Sequence, residues 1–406
     1  MTVAPFFNFK RTEWLIILAV ALGYFVDAYD LIVFSAVRIA SLRELGVPEN
    51  ELLNYGLSLL NWQLFGLVIG GLFWGILADK FGRTTILFGS IITYSIANVA
   101  NGWVNSVDWY LYLRIIAGIG LAGELGVGIS LVSESLPKEK RTYATTIVSV
   151  FGMMGAFSGG LISLFFAWKT CYFIGGVAGL FLLLLRFNVY ESGIFLKEKE
   201  KNTTRGNILV ILKNPKLLAT YFFCTLAGGT TFILIGLFIQ NVPEFATTFG
   251  LTGAKAALAI IFFYFGGAPA EICAGLISKK MKSRKKPMYI FFVVALIGMF
   301  IFCFVKPISI EQLYLHCAIL GLGIGYWTIL ITTAAEQFLT HIRATAATSI
   351  PNFARAWSIP FTILFKDFLK PSLGLLYGAF SVGALTIVLA IISVSLLKET
   401  FENEVC

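Results

Sequence analysis

The chain has 406 residues, of which 58% are hydrophobic and only 13% charged, and its mean hydropathy is +0.84. In a typical soluble protein about a quarter of the residues are charged, so the composition excludes a soluble globular fold. The apolar stretches are each about 20 residues long, whereas a strand of a membrane barrel needs only about 10. We therefore expect an all-α membrane protein.

Twelve apolar stretches cover nearly the whole chain. Each is about long enough to cross a hydrocarbon core ~30 Å thick, at 1.5 Å of rise per helical residue. We therefore predict twelve transmembrane helices. Their predicted ranges are 13–37, 55–78, 85–104, 108–134, 142–166, 168–188, 217–242, 255–279, 287–305, 311–337, 344–367 and 372–397.

The net charge of +9 reflects topology and does not indicate a nucleic-acid partner. Most of the 31 Lys and Arg residues lie on the side of the predicted helices that also carries both termini, among them Lys138, Lys140, Arg141 and Arg186. Cytoplasmic loops of membrane proteins carry such an excess of Lys and Arg. We therefore predict a multi-pass protein of the cell membrane (inner or plasma membrane) with both termini in the cytoplasm.

One short pattern occurs twice. Glu134 precedes Arg141 by seven residues after the fourth stretch, and Glu336 precedes Arg343 by seven after the tenth, 202 residues later. A duplicated six-helix bundle around a central pathway explains this repeat most simply, and such an architecture is typical of carriers. We predict a first bundle over 1–188, a hydrophilic cytoplasmic linker over 189–216 and a second bundle over 217–406.

A charged motif ends the second stretch and reads Gly75-Ile-Leu-Ala-Asp79-Lys-Phe-Gly82-Arg83. An acid and a base four residues apart at a helix end can bind neighbouring helix termini and so latch the bundles together. The corresponding segment after Gly275 has lost the aspartate, so we expect a weaker or different latch there. The predicted latch comprises Gly75, Asp79, Gly82, Arg83, Glu134, Arg141, Glu336 and Arg343.

Three motifs together resemble signatures of the major facilitator superfamily. The 75–83 segment is similar to its loop-2/3 signature, and Arg114-Ile-Ile-Ala-Gly-Ile-Gly is similar to its fourth-helix signature. Asp27-Ala-Tyr-Asp30 resembles the D-G-x-D of its metabolite and aromatic-acid:proton symporters and the G-Y-D of its sugar porters, with Ala28 where glycine is usual. The resemblance implies two pseudo-symmetric six-helix bundles (the major facilitator fold) and transport by alternating access. It implies a transporter that is not an enzyme and has no cofactor.

Four charged residues inside the stretches are candidates for proton coupling. Asp30 and Arg114 lie about 12 Å and about 8–9 Å from the outer end, counted at 1.5 Å per residue. A lone charge at mid-membrane costs about 2.5–3.5 kcal/mol, so we expect the two to pair, either as a proton switch or as a permanent salt bridge. Asp27 is a second proton acceptor or a substrate ligand, and Glu124 faces either the cavity or an internal helix pair.

Polar residues in other stretches predict a substrate site. Arg355 would anchor a substrate carboxylate, and Glu271 would bind a cationic group or neutralise a neighbouring base. His316 lies 202 residues after Arg114 and is either a proton relay or a packing residue. The remaining candidates could hydrogen-bond to a polar metabolite or stack on it: Asn61, Trp62, Gln63, Gln240, Asn241, Tyr326, Trp327 and Asn352.

Glycine is abundant inside the stretches, as in 66–75 and 118–128. Small residues let membrane helices approach closely, which serves either static packing or sliding of helices during transport.

No nucleotide-binding or hydrolase motif is visible, so the energy for transport would come from a gradient. The favoured function is proton-coupled uptake of a small organic anion or polar metabolite by a monomer in the lipid bilayer. The partners would be that small molecule and protons, with no metal. The alternatives are a proton-driven exporter of a drug or metal-chelating metabolite, a sugar porter, and a receptor or membrane enzyme of the same shape.

Overall fold

The computed structural model describes residues 9–49, 51–186, 209–338 and 340–401, and every regular element in these ranges is helical. The first six spans are built from seven helices: α1 (Arg11–Glu44), α2 (Leu52–Phe81), α3 (Arg83–Asn101), α4 (Val107–Leu121), α5 (Glu124–Ser135), α6 (Lys138–Phe165) and α7 (Trp168–Arg186). Helices α4 and α5 together form span four, and each of the others forms one span.

The remaining helices comprise spans seven to twelve and two short helices outside them, α8 and α10. They are α8 (Leu209–Lys213), α9 (Pro215–Ile233), α10 (Val242–Thr248), α11 (Ala256–Met281), α12 (Lys285–Phe304), α13 (Ile310–Leu322), α14 (Trp327–Glu336), α15 (Thr340–Ala356), α16 (Ser358–Ile363) and α17 (Lys370–Leu396). Span seven is α9 with a π-helical end (Leu234–Ile239), span ten is α13 and α14 joined by a 3-10 turn (Gly323–Tyr326), and span eleven is α15 and α16 with a π-helical end (Leu364–Leu369). Spans eight, nine and twelve are α11, α12 and α17.

The predicted all-α fold with twelve spans is confirmed. Within the described ranges nine helices are long and apolar enough to cross a membrane, and one of these, Thr345–Leu396, contains spans eleven and twelve. Span six is a shorter apolar helix, and α3 is a 19-residue helix whose polar residues lower its hydropathy. Large apolar side chains such as Phe65, Phe181 and Ile297 are exposed on the outside of the bundle, where a bilayer would cover them.

Two predicted boundaries are corrected by the structure. Helix α1 runs to Glu44 and not to 37, because a helix needs no apolar residues to continue beyond the membrane once its hydrogen-bond ladder is formed. The predicted linker 189–216 lies largely outside the described residues, but its last part is helical in α8 and at the start of α9. The Asn214 side chain caps α9 by accepting hydrogen bonds from the backbone of Lys216 and Leu217.

The two sets of six spans repeat each other in detail. Span four breaks between α4 and α5 at Gly123, and span ten changes to a 3-10 turn around Gly325, 202 residues later. Glycines just before both breaks let a neighbouring backbone approach: a Cβ at Gly118 would lie 2.3 Å from the Gln63 carbonyl oxygen, and one at Gly321 would lie 1.9 Å from that of Phe263. The internal duplication therefore extends to the helix breaks.

We call the end of the bundle that carries the 75–83 motif the inner end and the opposite end the outer end. Toward the inner end, glycine lets the two sets of spans approach closely: a Cβ at Gly126 would lie 2.1 Å from the Thr348 Cα and 2.4 Å from the Ala347 carbonyl oxygen. By contrast, a Cβ at Gly155 would meet the Phe25 backbone within the first set at 1.9 Å. Glycines therefore serve both close packing within a half and closure between the halves.

Replacing Gly126 by alanine should open the inner end without unfolding the protein. The added methyl group meets backbone of the other half, and the two halves can relieve the clash by moving apart as bodies. The distance between spin labels at the exposed positions Lys80 and Lys282, measured in a background without native cysteines, should shift to longer values. Gly236→Ala is the control, because its Cβ would have no neighbour within 4 Å. An unchanged distance distribution for Gly126→Ala would refute this assignment.

Candidate functional site

A cavity of about 100 Å³ lies between the two halves at mid-depth. At roughly 10–15 Å³ per water on this measure, it has room for several waters or a small molecule. Tyr24 and Met153 line it from the first half, and Thr231, Trp327 and Gln240 line it from the second. Its wall is mostly apolar, as is usual for sites that bind small molecules. Residues of both halves of one chain therefore line this cavity.

One ion pair joins the halves beside this cavity. The Asp27 carboxylate on α1 lies 3.6 Å from Nη2 of Arg355 on α15, and both side chains are buried. Neither oxygen of Asp27 accepts a hydrogen bond within the described structure. Arg355 lines the cavity, donates to Asn352 Oδ1 at 2.8 Å and lies 5.6 Å from the centre of the Phe232 ring. The pair is therefore a contact of charges with little hydrogen bonding on the acid side.

A second buried pair on α1 lies entirely within the first half. Asp30 Oδ2 is 3.4 Å from both Arg114 Nη1 and Gln63 Nε2, so its contacts are long. Arg114 has closer partners: it donates to Asn98 Oδ1 at 2.6 Å and lies 4.6 Å from the centre of the Tyr172 ring. The predicted pairing of Asp30 with Arg114 is present, and the arginine keeps good partners without the acid.

Glu124 does not face the cavity. It is the first residue of α5, and its carboxylate accepts from Arg186 Nη2 at 2.6 Å and from Ser90 Oγ at 2.6 Å. Arg186 also donates to the carbonyl oxygens of Leu87 and Ala19. The assignment of Arg186 to the basic residues outside the predicted helices was therefore wrong, because its side chain is buried and paired with Glu124. Its place inside the predicted span 168–188 was the available signal, because a charge within a span needs a buried partner.

Two charged residues line the cavity within the described structure, Arg355 and Glu271, and Glu271 lies on α11. Its Oε2 accepts from Thr328 Oγ1 at 2.5 Å, and the Ser149 hydroxyl also lies near the carboxylate. Its Oε1 accepts no well-aligned hydrogen bond from the described residues, and its side chain is buried. No ion pair joins it to a base in the ranges that the structure covers. The acid is therefore available to a bound molecule.

The remaining predicted residues lie in several different places. Gln240 and Trp327 line the cavity, Asn352 contacts Arg355 beside it, and Gln63 contacts Asp30 within the first half. Tyr326 and Asn241 are bound within the second half, Tyr326 to Thr231 and Asn241 to the backbone of span seven, so neither lines the cavity. Asn61 and Trp62 are exposed on the outside of span two, because adjacent helical residues face different directions. His316 is buried in span ten away from the cavity lining.

The motif predicted to act as a latch makes contacts between the two halves at the inner end. Asp79 Oδ2 accepts from the Thr345 backbone N–H at 2.9 Å and from its hydroxyl at 2.6 Å, across the two halves. Arg83 bridges Asp79 at 3.2 Å and Glu134 at 2.9 Å. Between Asp79 and Arg83 in the sequence, Gly82 adopts φ +108°, a conformation that favours glycine and lets α3 begin directly after α2. These contacts join spans two, four and eleven.

A contact of reversed polarity stands at the corresponding place in the second half. Lys279 on α11 takes the place of Asp79, and its ammonium donates to the hydroxyl of Tyr143 on α6 and lies 4.5 Å from that ring's centre. Lys279 follows Asp79 by 200 residues, as Gly275 follows Gly75, and Thr345 follows Tyr143 by 202, so the two contacts lie at nearly equivalent positions of the internal repeat. Where the aspartate is lost, a contact of different chemistry joins the halves, and its role as a latch stays a prediction.

The two Glu-to-Arg repeats have matching contacts. Arg141 and Arg343 donate through Nε to the carbonyl oxygens of Leu136 and Phe338, five residues before each. Glu134 pairs with Arg83, and Glu336 pairs with Arg284 at 2.9 Å. These repeats therefore form one pseudo-symmetric frame at the inner end.

At the opposite end Gln240 Nε2 donates to Ser35 Oγ at 2.8 Å and joins spans seven and one.

Comparisons with known proteins agree on one family. A family model described as Major Facilitator Superfamily matches residues 20–363. The putative niacin/nicotinamide transporter NiaP of Bacillus subtilis (strain 168) is 24% identical over 94% of this chain and 95% of its own, and the 4-hydroxybenzoate transporter PcaK of Pseudomonas putida is 25% identical over 86% of each chain. The solved structure of the proton:xylose symporter XylE bound to 6-bromo-6-deoxy-D-glucose has a TM-score of 0.77 at 18% identity and 96% coverage of both chains, which shows a shared fold.

The two latch contacts should contribute unequally to inner closure. Asp79 accepts two buried hydrogen bonds as a charged group, worth about 1.5–3 kcal/mol each, whereas an exposed cation on an aromatic ring is worth about 0.5–1 kcal/mol. Asp79→Ala should therefore lengthen the Lys80–Lys282 spin-label distance in more of the population than Tyr143→Ala. Lys280→Gln, on an exposed neighbour of Lys279, should have no effect. Equal shifts for the two alanine variants would contradict the ranking.

Proposed function

The chain belongs to the Major Facilitator Superfamily and is a membrane transporter rather than an enzyme, and on this premise we propose that it couples uptake of a small organic anion to protons. The observation that carries the proposal is the Asp27–Arg355 pair. It is the buried pair that both crosses between the halves and borders the cavity. The proposed cycle is an exchange of anions on the Arg355 guanidinium.

Arg355 is suited to hold a carboxylate. Its guanidinium is always charged, its planar fork matches two carboxylate oxygens, and Asn352 holds one of its nitrogens. In the absence of substrate Asp27 supplies the negative charge. A proton on Asp27 removes that charge, and a substrate carboxylate then takes its place, so proton and anion bind together. Release of both at the inner end restores the ion pair.

Asp30 is the proposed relay by which protons reach Asp27. It lies one helical turn nearer the outer end on α1, and its contacts to Arg114 and Gln63 are both long at 3.4 Å. Protonation of Asp30 leaves Arg114 with Asn98 and the Tyr172 ring, so the buried arginine stays compensated. We propose a structural role for the Glu124–Arg186 pair, because both side chains already make several hydrogen bonds.

The substrate is proposed to be a small carboxylic acid with a flat or compact body. Tyr24, Phe232 and Trp327 offer aromatic faces to the cavity, and Gln240 offers a hydrogen bond. The names of two relatives, transporters of niacin/nicotinamide and of 4-hydroxybenzoate, favour the same class. The inner end is proposed to face the cytoplasm, in agreement with its basic loops, and the cavity within one chain supports transport by a monomer.

Removing either acid of α1 should uncouple the carrier without stopping exchange. Asp27→Asn and Asp30→Asn imitate the protonated forms, so a pH gradient should no longer drive accumulation of benzoate or nicotinate into proteoliposomes, while counterflow of the same acid stays measurable. Arg355→Ala should lose both activities, because the anion has no partner. The readouts are gradient-driven accumulation and counterflow, compared in right-side-out and inverted vesicles to settle direction.

Asp108→Asn is the matched control, because this acid is exposed at the outer start of α4. It should leave accumulation unchanged. Full accumulation by Asp27→Asn would contradict the proposed coupling. Stronger uptake into inverted vesicles would show that the carrier is an exporter.

A further inference from the structure

The Glu271 carboxylate leaves one charge of the cavity uncompensated. Its side chain is 1% exposed and lines the cavity, and its described partners are two neutral hydroxyl groups, Thr328 on Oε2 and Ser149 nearby. Neither hydroxyl compensates the charge, and Oε1 accepts no well-aligned hydrogen bond from the described residues. The charged groups beside the cavity within the described structure are Asp27, Arg355 and Glu271, two acids and one base. Since Asp27 already pairs with Arg355, Glu271 is the acid in excess.

The excess negative charge of Glu271 affects which substrate can bind in the proposed transport cycle. When Asp27 is protonated and a substrate carboxylate binds Arg355, the base is again compensated and Glu271 still carries a negative charge. An anion of a simple acid would then lie beside a second anion in a small apolar cavity, which is unfavourable. Only a cationic group on the substrate or a second proton on Glu271 removes this charge.

We propose that the preferred substrate is a zwitterion, whose carboxylate binds Arg355 and whose cationic nitrogen binds the free Oε1 of Glu271. This inference rests on the proposed function of Arg355. With one proton on Asp27, the zwitterion makes the site electrically neutral. The two anchors lie on different helices, α11 and α15, and Tyr24 of the first half lines the same cavity. A molecule that bridges them would therefore be held across the cavity.

The geometry gives the nitrogen a prepared acceptor. Oε1 of Glu271 accepts no well-aligned hydrogen bond from the described residues, while the Thr328 hydroxyl fixes the orientation of the carboxylate through Oε2. A buried, poorly satisfied acceptor is costly: a cationic N–H group would donate to it, and a quaternary nitrogen would compensate its charge without a hydrogen bond. The aromatic residues Tyr264 and Trp327 line the same cavity and favour a cation near their faces.

Two pairs of isosteric acids test the proposal. 4-(Aminomethyl)benzoate is compared with 4-ethylbenzoate, and N-methylnicotinate with 3-methylbenzoate, so that each pair differs in charge but hardly in shape. Each compound competes in counterflow of the wild-type protein in proteoliposomes. The zwitterion of at least one pair should compete about ten-fold more strongly than its partner. Equal competition within both pairs, or preference for the anions, would overturn the proposal.

Glu271→Gln should reverse the preference. The variant should bind the zwitterion about ten-fold more weakly, because the cation loses its counter-ion, and should bind the anion more strongly, because the repelling charge is gone. Such a crossover cannot come from poor folding, which would weaken both members. Loss of both members to the same extent in a folded Glu271→Gln protein would overturn the zwitterion site and make Glu271 a proton carrier.

Proton counts separate this proposal from the function on which it rests. The wild-type protein should carry one proton per zwitterion and two per anion, measured with a pH indicator inside the vesicles, and Glu271→Gln should carry one per anion. If pH-driven uptake of the anions occurs with no preference for zwitterions, the proposed function stands and this inference fails. If neither member of any pair binds while a neutral sugar does, both fail.

Discussion

The need to compensate every charge inside an apolar protein organises this molecule. Span one carries two acids three residues apart, and each finds an arginine in a different body: Asp27 pairs with Arg355 of the second half, and Asp30 pairs with Arg114 of its own half. Any rocking of the halves therefore changes the surroundings of Asp27 and leaves those of Asp30 nearly constant. A protein that holds such a pair at a moving interface has linked the charge state of one carboxyl group to its conformation.

The inner end shows how a duplicated frame can hold different chemistry. The same positions of the two halves meet across the pseudo-symmetry, with a carboxylate on a threonine at one seam and an ammonium on a tyrosine at the other. The first contact is buried and accepts two hydrogen bonds on one oxygen, whereas Lys279 at the second is exposed. The seam between spans two and eleven is therefore the stronger one, and the seam between spans five and eight offers less resistance to opening.

The sequence allowed prediction of the spans, the repeat and the Asp30–Arg114 pair, because hydropathy, spacing and depth along a helix are properties of the chain itself. It could not show the direction in which each residue faces. Gln63 contacts Asp30 while its neighbours Asn61 and Trp62 are exposed, and this difference depends on how span two packs. The partner of Glu124 was missed for the same reason, since Arg186 reaches it only after span six has docked.

The two arginine–carboxylate pairs at Glu124 and Asp27 show why geometry rather than residue type separates a structural ion pair from an exchangeable one. The Glu124 carboxylate accepts from Arg186 and Ser90 at 2.6 Å, and Arg186 also binds two backbone carbonyls, so neither member can leave without stranding several buried groups. Among the described residues, none donates a hydrogen bond to the Asp27 carboxylate, which lies 3.6 Å from Arg355. Protonating it therefore strands only Arg355, and a substrate anion in the adjoining cavity can meet that need.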